Sequence, residues 1–453
     1  MITECAVNQG SNGKTLTLTI DNMTSDGQGV ARSGRDVYFV PGAIPGEQVE
    51  ARIEKRSKKI WHSRLLKVIT PSEYRVPAPC PHYLRCGGCD MQHMTYERQV
   101  EFKQDRVARE FARQGVAVSD WALPIVAEPW GYRRKARLGV RYSKEQNTNF
   151  VGFREGASHH ISNVDRCAVL PDHPALEWQD WRQLLNSLDA RALVTQIEVI
   201  AADNAIALVL RALKPLQDGD RNKLVSQLKG WQKQGEEAGL LPLQLWLRSE
   251  KDGEAECLWP AQPDTLHHFV DGMPLNLALT DFVQVNGDVN RAMVAQALEW
   301  LAPTEDERIW DLFAGHGNFS MPLARRSKHV VALEVQNSMV TSLAAQAEQL
   351  ALPLQAVCAD LSDEGRLAHL ESPNAILLDP PRAGAAEVMQ DIARRRIPRV
   401  LYVSCDAATL ARDLNVLSQQ GYAVTKAGIM DMFPQTHHVE TMVLLEYQGK
   451  SHG

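Results

Sequence analysis

Val400-Leu-Tyr-Val-Ser-Cys405-Asp-Ala-Ala-Thr-Leu-Ala-Arg412 is the stretch on which the fold turns. Val400–Val403 is apolar and β-rich, too short for a helix and of the length of a buried strand. The run stops at Ser404-Cys405-Asp406. Ala407–Leu414 then has helix-forming composition, with Asp406 placed as its N-cap. Strand, polar turn and helix in that order make one step of an α/β sheet. Cys405 falls at the strand's carboxyl end and at the helix mouth, the edge where open α/β sheets bind ligands. A helix N-terminus favours the thiolate, the nucleophilic form. Taken alone, a Ser-Cys pair reads equally well as a buried, inert cysteine. The surrounding chain decides between the two.

The chain has 453 residues, 44% hydrophobic and 23% charged, with a net charge of −6. That length suits about three domains. No apolar run approaches a membrane span, and Met1–Gly13 lacks a leader pattern, so a cytoplasmic protein is expected. Eight cysteines in such a chain point to metal binding or catalysis more than to disulfides. The acidic balance argues against a wholly basic surface but leaves room for a local basic patch.

Four short strands separated by Gly and Pro turns open the chain: Thr15–Ile20, Val37–Val40, Gln48–Lys55 and Ile60–Ile69. They suit a small β-barrel. Arg52, Lys55, Arg56, Lys58, Lys59, Arg64 and Lys67 surround Trp61, a mixture suited to RNA phosphates and a stacked base; a solvated charged face is the competing account. The stretch resembles a TRAM domain, an OB-like RNA-binding module. Pro77-Ala78-Pro79 is a stiff linker. It leads to Cys80-Pro-His-Tyr-Leu-Arg-Cys86-Gly-Gly-Cys89, where the glycines let the backbone turn tightly between two sulfurs. A fourth ligand must come from afar, and Cys167 is the best candidate. Four thiolates suit zinc or an iron–sulfur cluster, and the spacing leaves that choice open.

Tyr96–Phe111 has one apolar helical face. The cations of Trp130–Arg141 suit an RNA path or a solvated strand edge. Gln196–Leu210 and Leu243–Arg248 read as strands around a polar helical stretch, Gln217–Gly239. From Leu275 helices and strands alternate. Arg308–Phe313 is a strand ending in Ala314-Gly-His-Gly-Asn318-Phe-Ser320, a turn that lets a ligand approach the backbone. Glu334 ends the next strand, where an acid binds ribose hydroxyls. Asp360 ends another and suits an adenine amino group. Asp379-Pro-Pro-Arg382-Ala-Gly384 carries Arg382 where enzymes acting on base amino groups place an aromatic, which disfavours an amino target. From the glycine loop alone, a dehydrogenase stays open, but it leaves Cys405 and Asp379–Gly384 unexplained. A non-catalytic RNA-binding protein needs the barrel and not Cys405.

FVQVN (282–286), DLFAGHGNFS (311–320), LLDPPRAG (377–384), SCDAATLARD (404–413) and DMFPQTHHVE (431–440) coincide in one order. Together they resemble the RNA uracil-C5 methyltransferase family. With the barrel and the cysteines, the similarity is to its 23S rRNA members. The resemblance implies a multidomain protein: a TRAM-like OB β-barrel over 14–74, a central α+β domain with an iron–sulfur site over 75–271, and a Rossmann-like α/β methyltransferase domain over 272–453. The helix Tyr96–Gln114 is expected to pack on the last of these.

The resemblance also implies S-adenosylmethionine as methyl donor and 23S rRNA as substrate. A [4Fe-4S] cluster would be held by Cys80, Cys86, Cys89 and Cys167, and the protein would act as a monomer. Cys405 becomes the nucleophile that adds to uracil C6, and Glu440 the base that removes the C5 proton. Gln284, Phe313, Asn318, Glu334, Asp360 and Asp379 become cofactor contacts, with Arg382 helping to orient the base or the donor. The target base must leave its stack. Another uridine, or tRNA, is the alternative substrate. The chain departs from the family pattern at Ala314, Pro381 and Ala407, none of which removes a side chain the chemistry needs.

Overall fold

The computed structural model describes residues 13–156, 158–249, 253–363, 365 and 367–449. Residues 1–12, on which the leader reading rests, lie outside the described residues. The chain divides into two compact units: residues 1–102, 154–162 and 434–437 form one, and 103–153, 163–433 and 438–453 the other. The segment 75–271 is therefore shared between them.

The first unit holds a six-stranded sheet in the order Thr15–Thr19, Gln48–Ser57, Ile60–Thr70, Asp36–Val40, Gly29–Ser33, Asn22–Met23. Alternation along the strands turns Leu18, Val40, Val49, Ala51 and Ile53 inward, while Arg52, Lys55, Arg64 and Lys67 are exposed. Trp61 departs from its expected part. It is buried in this core, its ring 6.5 Å from that of Tyr38, and Arg56 covers it at 4.7 Å. It serves packing and offers no open face to a base. Just before the strand Gln48–Ser57, Glu47 is fully buried and accepts from Arg75 Nη2 at 2.7 Å and Ile44 N at 2.9 Å. Burial alone would raise its carboxyl, but the Arg75 and backbone hydrogen bonds hold it below its ordinary value.

Among the described residues the second unit contains two larger sheets, besides the two-stranded pair His267–Val270 and Met273–Asn276. In one, the strands Lys135–Ser143, Val194–Ala201, Ile206–Ala212 and Leu243–Arg248 are successive neighbours. Gln196–Leu210, expected as one strand, is thus a hairpin: its two arms pair antiparallel, and Ala202 N donates to Ala205 O at 2.9 Å across the turn. Helices Trp178–Ser187 and Asp218–Glu237 carry the buried Trp181 and Trp231, with ring centres 5.0 Å apart.

The other sheet has eight strands in the order Leu354–Cys358, His329–Glu334, Arg308–Leu312, Ala375–Leu378, Arg399–Ser404, Glu440–Tyr447, Tyr422–Met430, Val118–Trp121. Its central strands are continuous apolar runs, as a sheet covered on both faces requires. Val400 and Leu401 are fully buried, each contributing about 1.5–3 kcal/mol. Strand order reverses between Arg308–Leu312 and Ala375–Leu378, which creates a crevice at their carboxyl ends. The strand Glu440–Tyr447 runs against its neighbour, so its first residue joins that same edge.

Candidate active site

The loop after Arg308–Leu312 forms one wall of the crevice. Phe313 and Gly317 have φ of 64° and 99°, left-handed values that glycine adopts readily and phenylalanine seldom does. A Cβ on Gly317 would lie 2.5 Å from Leu343 Cδ1, so the helix Asn337–Gln349 can pack there only against glycine. Gly315 N donates to Glu334 Oε2 at 3.0 Å and Gln336 N to Oε1 at 2.9 Å. Each carboxylate oxygen keeps a lone pair for a ligand hydroxyl.

Asn318 and Asn290 exchange hydrogen bonds at 2.8 and 2.9 Å, which ties the loop to the helix Gly287–Leu301. Gln284 is half-buried just before that helix, whose N-cap, Asn286, accepts from Val289 N at 3.2 Å. Asp360 lies at the exposed rim and accepts from Ser362 N at 2.9 Å. Beneath the loop Asp311 is buried and bonded to Ser320 Oγ. Burial above all, with Asp379 and Glu334 nearby, pushes its carboxyl up to about 7.

Across the crevice Asp406 caps the helix Ala407–Ser418, accepting from Ala408 N at 3.1 Å and Thr409 N at 2.9 Å. Cys405 stands where the strand–turn–helix pattern places it, but its acidity is opposite to expectation. Burial first, then the Glu440 carboxylate, push the thiol up to about 11, outweighing Arg382, whose guanidinium hydrogen-bonds to the sulfur. The helix mouth is too weak a donor to offset a half-buried site crowded by acids. Glu440 is buried, and burial first, then Asp379, push it up to about 8 against the pull of Arg382. Burial also pushes Asp379 up to about 7. The site therefore holds a nucleophile, three carboxyls of raised proton affinity and one guanidinium, and titrates as a coupled set.

Asp413 is a functional support that motif reading did not single out. Fully buried, it accepts from Ala385 N at 2.8 Å, Tyr402 Oη at 2.7 Å and Arg412 Nε at 2.8 Å. Arg412 Nη2 in turn donates to Ala383 O at 2.9 Å. These bonds fix the loop that presents Arg382. The signal was the acid closing the 404–413 motif on a buried helix face. Lys103 and Asp431 form a second support. Both are fully buried, with Nζ 2.6 Å from Oδ1 and 3.1 Å from Phe433 O. They anchor the segment that follows strand Tyr422–Met430, whose Met430 pairs with Glu440.

Of the cysteines expected to hold metal, Cys80, Cys86 and Cys89 lie in the first unit and Cys167 in the second. No disulfide joins the described cysteines. Cys86 N donates to His82 O at 2.8 Å and Gly87 N to Arg154 O at 2.9 Å. A Cβ on Gly87 would lie 3.0 Å from that carbonyl, so the turn between Cys86 and Cys89 needs glycine there. Burial, with Cys80 adding to it, raises the Cys86 thiol. Among the described residues no preformed group of three or more metal-ligating side chains occurs, and no helix is long and apolar enough to cross a membrane.

Residues 274–356 and 364–448 match the family described as tRNA (Uracil-5-)-methyltransferase, and residues 10–66 match the TRAM domain. A 23S rRNA (uracil(1939)-C(5))-methyltransferase RlmD of Pseudomonas fluorescens is 40% identical over 96% of this chain and 94% of its own length. Its namesake in Pseudomonas putida is 42% identical over 96% and 94%, and that of Shewanella baltica 38% identical over 95% of each. The crystal structure of Pyrococcus abyssi tRNA (uracil-54, C5)-methyltransferase in complex with S-adenosyl-L-homocysteine superposes with a TM-score of 0.73 at 20% identity, covering 95% of this chain and 99% of that one. That likeness shows a shared fold. By its identity to the bacterial relatives across nearly its whole length, the chain belongs to the RNA uracil-C5 methyltransferase family.

Proposed function

We propose that this chain transfers a methyl group from S-adenosylmethionine to C5 of a uridine in 23S rRNA, the substrate named for its bacterial relatives. The observation that carries the reading is that Cys405, one residue past the strand Arg399–Ser404, and Glu440, first in the neighbouring strand, lie at the edge where the glycine-rich loop and Glu334 also end. Glu334, Asn318, Gln284, Phe313 and Asp360 bind the donor. Uracil C5 is a poor nucleophile. Cys405 adds as thiolate to C6 of an extruded uracil, and the ring's electron density shifts to C5. C5 takes the methyl group from the sulfonium, whose sulfur departs with the bonding pair as S-adenosylhomocysteine. Glu440 then removes the C5 proton, the C5–C6 double bond re-forms and Cys405 leaves. A carboxylate of raised proton affinity suits removal of a proton from carbon. Arg382, bonded to the sulfur, favours the thiolate, and with Asp379 it orients the ring.

All these groups come from one unit of one chain, which supports action as a monomer. Cys80, Cys86, Cys89 and Cys167 would hold a [4Fe-4S] cluster. The donor set supports this: half-buried thiols in no disulfide, three of them around a glycine turn. Four protein ligands leave no open iron position, so the cluster would have a structural role. A substrate in the large ribosomal RNA supports a cytoplasmic location. The test is to incubate the anaerobically purified protein with methyl-labelled S-adenosylmethionine and unmodified 23S rRNA and to map the product. 5-Methyluridine at one position is expected. Methyl on tRNA would keep the chemistry and change the target. No transfer to any RNA by protein that binds the donor would overturn the reading.

A further inference from the structure

The first unit carries an open pocket of about 330 Å³, at the small end of ligand-binding pockets. Its walls include Leu65, Pro77, Leu84 and Tyr83, with Arg75 and His93 as its polar members. Arg75 is held in place by Glu47 and by Gly42 O, to which its Nη2 donates at 2.7 Å; a fixed guanidinium plane is a stacking surface for a base. Leu65 lies on the strand Ile60–Thr70, between the exposed cations Arg64 and Lys67, so a phosphate chain can follow that strand past the cavity mouth.

His93 is 3% exposed, and its Nε2 has no hydrogen-bond partner among the described residues. Its tautomer follows from its neighbours. Tyr83 Oη donates its one proton to Asp90 O at 2.6 Å, so the 2.5 Å contact with His93 Nδ1 must be donated by the ring. Burial keeps the ring neutral, which leaves Nε2 an unused acceptor. A buried acceptor without a partner is destabilising, and a donor group that reaches it from the pocket would remove that cost.

We propose that this cavity receives an unpaired RNA base bearing an exocyclic amino group (adenine, cytosine or guanine), which stacks near Arg75 and donates to His93 Nε2. It would be a recognition pocket separate from the one that holds the reacting uracil. This rests on the reading of the chain as an RNA-modifying enzyme.

The test uses the full, cluster-loaded chain and unmodified 23S rRNA. Leu84→Trp fills the cavity from an exposed position. It is expected to raise KM for rRNA about tenfold, the scale of losing one stacked base, with kcat and donor binding unchanged. In analogue interference, wild type should lose binding when the amino group of one particular base is deleted, and Leu84→Trp should be indifferent to that deletion. His93→Gln, which keeps an acceptor, should retain more of the effect than His93→Phe. If wild type methylates rRNA while Leu84→Trp and Leu65→Trp match its KM and no amino deletion interferes, the pocket assignment falls and the proposed function stands. Loss confined to whole ribosomal particles, with naked rRNA unaffected, would put a protein in the cavity and overturn the assignment too. A wild type that methylates no RNA would overturn both.

Discussion

Cys405 and Glu440 face each other one step beyond the last paired residues of two antiparallel strands, Ser404 with Thr441. Glu440 raises the thiol's need for a proton: after burial, its carboxylate is the largest influence holding Cys405 neutral. Nucleophile and base are thus set side by side by sheet register, 35 residues apart in sequence.

Arg382 opposes the upward push on both groups, so it should govern the pH dependence of the first chemical step. Cys405 is held near 11 and Glu440 near 8 with Arg382 drawing both downward. Single-turnover rates of the wild type should therefore climb with pH through the neutral range. Arg382→Leu should move that rise to higher pH and slow methyl transfer at pH 7 by about tenfold or more, one pKa unit being a factor of ten in thiolate. A profile for Arg382→Leu that overlays the wild type's would remove the guanidinium from this part.

Glu440 also makes a stability prediction. Its folded-state value near 8 lies above the ordinary carboxylate value of 4.5, so between those pH values the folded chain holds the proton more tightly than the unfolded one. Stability should fall as pH rises through that window and level off above it. Glu440→Gln should melt higher than wild type at pH 8 and much like it at pH 5, by an amount on the order of a few kcal/mol. Scanning calorimetry at the two pH values checks the sign.

The Lys103–Asp431 pair is buried on both sides. Lys103→Met should cost about 3–5 kcal/mol in urea unfolding, because it strands a buried carboxylate. Lys103→Met/Asp431→Leu should recover part of that loss, since an apolar pair of similar volume carries no desolvation cost. A double variant no better than the single would point instead to packing.

Cysteine substitutions separate cluster ligands from bystanders. Cys86→Ser and Cys167→Ser, purified anaerobically, should lose iron, acid-labile sulfide and the visible absorption of thiolate-bound iron. Cys257→Ser should keep all three, because Cys257 lies outside the proposed set and its thiol is bonded to Pro260 O at 3.3 Å. Zinc without sulfide in the wild type would contradict the cluster assignment.

Local pattern carried the strand–Cys405–helix step, the Asp406 cap, the glycine loop and the acids ending successive strands, because each is fixed within a few residues by propensity and turn chemistry. What pattern could not carry depends on tertiary neighbours. Trp61 lies among cations in sequence but packs on Tyr38 in the core. The thiol of Cys405 looks activated from its helix, yet acids from two other segments reverse its acidity. Lys103 and Asp431 are separated by 328 positions, and nothing in either neighbourhood marks the other. Asp413 reads as an ordinary helical acid until the chain folds over it.

The most direct measurement is to incubate Glu440→Gln with unmodified 23S rRNA and S-adenosylmethionine, resolve the mixture under denaturing conditions, and sequence any peptide that carries nucleotide, with Cys405→Ala in parallel. The expected result is a stable protein–RNA adduct on Cys405 whose uracil already bears the new methyl group, and no adduct or methylation with Cys405→Ala despite normal donor binding. Full turnover by Cys405→Ala, or no adduct with a Glu440→Gln protein that binds RNA and donor, would contradict it.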